Sequence, residues 1–157
     1  MRTLVSLLVM LALGAGLGCS DSDPGTTAPT PSSTLPRSVT QTIGPEGGKI
    51  VLEGATVTFP AGAVAAPTAI TISATDEAPP AGFVALSKIY ECGPSGLSFP
   101  EKVTMEMSFS ADGNPATMFW SSGADPAFKD VGGALSGSLM AAQVAHFSKG
   151  FVGRQAP

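Results

Sequence analysis

Residues 102–109 read KVTMEMSF, and their alternation is the cleanest in the chain. Val103, Met105, Met107 and Phe109 fall on one side, Lys102, Thr104, Glu106 and Ser108 on the other. A period of two is what a strand with one buried and one wet face requires. The same pattern recurs upstream. In ATVTF, Val57 and Phe59 oppose Thr56 and Thr58; in AITIS, Ile70 and Ile72 oppose Thr71 and Ser73. Turn-forming residues separate the runs: Gly47-Gly48, Pro60-Ala61-Gly62, Pro79-Pro80, Gly93-Pro94, Asp112-Gly113-Asn114 and Gly132-Gly133. Short strands at this spacing predict an all-β fold, a single antiparallel β-sandwich over residues 39–157. PAGAVAAP, held between Pro60 and Pro67, is too short for a helix.

Upstream of the strands the composition changes twice. Residues 19–38 are rich in Ser, Thr, Pro and Asp, have almost nothing to bury, and read as a disordered tether. Fully extended, such a tether reaches about 60 Å at ~3.1 Å per residue. Before it, Arg2 precedes an apolar run from Leu4 to Leu17 that ends in small residues and Cys19. As a helix that run rises about 20 Å, short of a ~30 Å bilayer core. A cleaved secretory signal over residues 1–18 fits it better than a permanent span.

The formal charge is −4, from 8 Lys plus Arg against 12 Asp plus Glu, with no basic run or stripe. Nucleic acid, which needs phosphate-neutralising cations, is therefore not an expected partner. No P-loop, GxGxxG, GxSxG, HExxH or CxxC is present. One histidine and two cysteines, Cys19 and Cys92, do not make a zinc site. Neither a metal nor a cofactor is expected. Asp112-Gly113-Asn114 lacks the spaced acids of a calcium loop and reads as a hairpin turn. Asp76-Glu77 reads as a solvated loop pair. Cys92, two places after Tyr90 on one strand face, reads as a small buried hydrophobe; a Cys19–Cys92 disulfide is the rival reading. Of Phe119 and Trp120, adjacent on one strand, one belongs to the core and the other is open to solvent.

Gly16-Leu17-Gly18-Cys19 resembles the lipobox of bacterial lipoproteins, although Leu stands one place nearer the Cys than that family prefers. The resemblance implies lipidation of Cys19, palmitate among its chains, and cleavage before it; ordinary signal-peptidase cleavage is the alternative. A second resemblance rests on Gly47-Gly48, Pro60-Ala61-Gly62-Ala63, Ile70-Thr71-Ile72 and the stretch YECGPSGLSF from Tyr90 to Phe99. In this order and spacing they are similar to the ZU-five domain of zonula occludens proteins, uncoordinated-type netrin receptors and ankyrins. That implies a β-sandwich used for binding. Gly62 and Gly96 are expected at positive φ, and Pro60 and Pro100 at strand ends.

Some members of that family cut themselves within His-Phe-Ser, and this chain has His146-Phe147-Ser148. In an extended strand His146 and Ser148 share a side, so His146 is a candidate base for attack by Ser148 on the Phe147 carbonyl. The competing reading is an ordinary strand whose phenylalanines seal the sandwich. The combined expectation is a non-enzymatic, membrane-anchored envelope lipoprotein, with the outer membrane favoured. Cys19 carries its lipid, and the sandwich binds protein or an envelope polymer. Self-cleavage at Phe147–Ser148 and a purely structural envelope role are the alternatives.

Overall fold

The computed structural model describes residues 37–122 and 125–157. The signal segment, Cys19 and most of the tether lie outside the described residues. Twelve strands follow in chain order: β1 (Ser38–Ile43), β2 (Gly48–Leu52), β3 (Ala55–Phe59), β4 (Thr68–Thr75), β5 (Phe83–Ala85) and β6 (Ile89–Gly93), then β7 (Ser98–Ser108), β8 (Thr117–Ser122), β9 (Asp125–Gly132), β10 (Ala134–Ser136), β11 (Leu139–His146) and β12 (Lys149–Gln155). No helix occurs among the described residues.

The strands form two antiparallel sheets. One runs β1-β4-β6-β12-β8-β9, with β5 beside the far half of β12; the other runs β10-β11-β7-β3-β2. The alternation in the sequence decides which side of each is buried. Val103, Met105 and Met107 on β7 are fully buried with Val57 and Phe59, facing Ile70, Ile72 and Cys92 of the other sheet. Ala63 and Val64, from the stretch that is too short for a helix, plug the same core. The fold is the antiparallel β-sandwich that the period-two pattern predicts.

Arg37 and Ser38, read above as tether, are tied to the sandwich. Arg37 ion-pairs with Asp76, its carbonyl accepts the Ala74 N–H, and the Ser38 and Ser73 hydroxyls bond at 2.8 Å.

Three expectations are corrected. Pro100 does not end a strand; it lies inside β7. It is tolerated because the β7–β11 register breaks there, jumping from Val144↔Val103 to His146↔Ser98, so the missing N–H interrupts no regular ladder. Asp112-Gly113-Asn114 is not a hairpin turn, because it joins β7 to β8, which belong to different sheets. The Asp112 carboxylate accepts the Asn114 N–H at 3.1 Å and closes a local side-chain turn instead. Finally, neither Phe119 nor Trp120 is exposed: each is 3% accessible. Trp120 joins the inter-sheet core. Phe119 stacks on Phe151 in a second cluster covered by Phe83 and Phe128. The sheet buries both faces here because β5 and its flanks carry Phe83 over the other side.

Candidate functional site

The His-Phe-Ser segment occupies a corner where the chain changes sheets. β11 ends at His146, paired with Ser98 in one sheet, and β12 begins at Lys149, paired with Glu91 in the other. The segment paired with it makes the same change between Glu91 and Ser98, through Gly93-Pro94-Ser95-Gly96. The two segments stay bonded around the corner. The Phe147 N–H donates to the Leu97 carbonyl at 2.8 Å, the Gly96 N–H to the Phe147 carbonyl at 3.1 Å, and the Cys92 N–H to the Ser148 carbonyl at 2.9 Å. Gly96 has φ +79°, and Gly62 φ +83°, the left-handed turns expected from sequence. Phe147 anchors the corner. It is fully buried and meets Phe59 and Phe99 edge-on, with ring centroids 5.9 and 4.7 Å away.

His146 and Ser148 both reach residue 121 of β8. The Ser148 and Ser121 hydroxyls lie 2.6 Å apart, both buried. Ser121 Oγ also accepts the Lys149 N–H and donates to the Lys149 carbonyl, each at 3.2 Å. The Ser148 hydroxyl is therefore bonded to a hydroxyl that is itself tied to the Lys149 backbone. His146 Nε2 lies 3.2 Å from the Ser121 carbonyl, which only accepts, so that nitrogen carries the proton. The His146 carbonyl in turn accepts the Trp120 indole N–H at 3.0 Å. The two candidate residues thus converge on Ser121 and each bonds to it. In this arrangement the imidazole acts as a donor to the backbone, and Ser148 has a hydroxyl partner other than His146. Sequence reasoning missed Ser121: one of two serines after MFW, it carries no motif.

Cys92 is free and 1% accessible, as expected of a buried hydrophobe. Burial, reinforced by the Glu91 charge, pushes its thiol up to about 12 from an ordinary 9.0. The thiol should resist exposed-thiol reagents in the native state and react only on unfolding. The linkage has a definite sign. The folded pKa is raised, so the contribution is complete below pH ~9 and lost as pH rises toward ~12, at up to about 1.4 kcal/mol per pH unit. Chemical denaturation across that range should show stability falling with pH in the wild type and falling less steeply in Cys92→Ala, where Tyr90, whose hydroxyl burial also pushes up, still contributes.

The loop acids are salt-bridged on the surface: besides Asp76 with Arg37, Glu77 accepts from Lys149 at 2.7 Å.

The family profile of the ZU5 domain matches residues 39–120, just over half of the chain. The chain belongs to the ZU5 domain family. ZU5 domains are protein-interaction modules, which accords with the expected binding role. None of the curated proteins matches the chain. The matched ZU5 segment ends at Trp120, inside β8, whereas β12, which pairs with β5, β6 and β8, lies beyond it. Residues after the match therefore complete the sandwich, and His146-Phe147-Ser148 sits among them.

Proposed function

We propose that this chain is a lipid-anchored envelope protein that displays its ZU5 sandwich as a non-enzymatic interaction module. The observation that carries the binding half is the ZU5 match on a two-sheet sandwich. The anchoring half rests on sequence: Arg2, the apolar run Leu4–Leu17 and Cys19, followed by a Ser/Thr/Pro-rich stretch up to the first residues of the fold. On this reading Cys19 bears the lipid, in a bacterial envelope and on the outer membrane. The sandwich stands off from the surface to meet protein or envelope polymer. Cys19→Ser should move the protein out of the membrane fraction or leave an uncut precursor. A variant processed and retained like the wild type contradicts the anchor.

Self-cleavage is the second reading, favoured by one observation: the Gly96 N–H already bonds the Phe147 carbonyl, where an oxyanion would form. The hydrogen bonds of Ser148 and His146 to Ser121 oppose it. The chain is therefore expected to stay whole through long incubation at neutral pH, with wild type and Ser148→Ala both uncleaved by denaturing mass spectrometry. A body ending at Phe147, abolished by Ser148→Ala, would establish cleavage.

A further inference from the structure

On the outer face of the β10-β11-β7-β3-β2 sheet lies an open groove of about 590 Å³. Its floor is a row of polar side chains in register across three neighbouring strands. Thr58 of β3 pairs with Thr104 of β7, which pairs with Gln143 of β11. Pro60 and Pro100 wall one end, and Lys102 also borders it. The volume falls within the ~300–1,000 Å³ of ordinary ligand sites.

We propose that this groove binds a neutral polysaccharide chain. Elsewhere on the surface, hydroxyls opposite one another satisfy each other: Ser38 with Ser73 and Thr40 with Thr71, both at 2.8 Å. Thr58 and Thr104 are also directly opposite, yet neither these hydroxyls nor the Gln143 amide has a hydrogen-bond partner among the described residues. They present donors and acceptors to the groove at the ~4.8 Å spacing of neighbouring strands. A polyhydroxylated chain laid across the strands meets that row with a hydroxyl at each step. The proline rings offer apolar edges to the C–H faces of a sugar. A peptide is served less well. β3 and β7 have strands on both sides, β10 flanks β11 only along Leu139–Ala141, and the groove floor has no apolar side-chain pocket to seat the alternate side chains of an added strand. An anionic polymer is disfavoured because Glu101 lines the groove beside Lys102.

This inference rests on the interaction-module reading and specifies a ligand class for it. The test is an NMR titration of the full chain, purified in detergent, with cellohexaose, xylohexaose and maltohexaose. At least one should shift the amide signals of residues 58, 104 and 143. The double variant Thr104→Val/Gln143→Ala, its fold checked by circular dichroism, should weaken that binding by about tenfold or more. Ser136→Ala, on β10 outside the groove, should bind as wild type. No shift with any of the three, or a shift that the double variant leaves unchanged, overturns the proposal. Cross-linking of the same full chain in envelope extract separates the two claims. A protein captured while the hexasaccharides fail to bind sinks the groove and keeps the module. Failure of both sinks both.

Discussion

Met105→Asp is expected to leave the protein unfolded, or nearly so, at room temperature. Met105 is fully buried at the middle of β7, opposite Val57 on one side and Ala142 on the other. A carboxylate there has apolar neighbours and loses its hydration. Burial of an unpaired charge belongs to the rare class of substitutions that cost more than about 4 kcal/mol. Domains of this size have only about 5–15 kcal/mol in total. Glu106→Lys, one residue along on the wet face, should change stability by less than about 0.5 kcal/mol. Circular dichroism and denaturant titration of the two variants check the pair. Similar losses at both positions would mean that the facing of β7 is wrong.

Gly150→Ala is also expected to be strongly damaging, although it adds a single methyl. Gly150 pairs with Trp120 between β12 and β8, and its α-carbon lies under the indole. A β-carbon there would fall well inside contact distance of the Trp120 ring and 2.9 Å from the Phe119 carbonyl. Trp120 has little room to retreat: it is 3% accessible, and its indole N–H is bonded to the His146 carbonyl. Overpacking of this kind costs about 1–3 kcal/mol and more where the backbone must move. We expect about 3 kcal/mol, with the His-Phe-Ser corner loosened because the Trp120 bond holds it. A thermal midpoint equal to wild type would show that the indole moves aside freely.

The period-two runs made the sandwich legible. KVTMEMSF, ATVTF and AITIS each name their buried side, and the structure buries those residues, save Phe109, which lies past the end of β7 and is only partly buried. What the runs do not contain is pairing. Nothing in the local pattern says that β7 and β8 lie in different sheets, which is why Asp112-Gly113-Asn114 reads as a hairpin. Nor does it say that Phe83 folds over the outer face to cover Phe119. Both depend on contacts distant in sequence. The His-Phe-Ser motif was legible as a motif and not as a geometry. Whether His146 and Ser148 meet depends on a corner between sheets, and on Ser121, which no motif marks. The groove floor was equally silent: Thr58 and Thr104 look like any outward strand residues, and register with Gln143 sets them in line.

The proposed arrangement is an intact sandwich carried on a lipidated Cys19. The most direct measurement is the intact mass of the protein extracted from membranes. The predicted result is a single species that begins at Cys19, carries diacylglyceryl and acyl additions on that residue, and is unbroken at Phe147–Ser148. A soluble species without lipid, or a body that ends at Phe147, would contradict it.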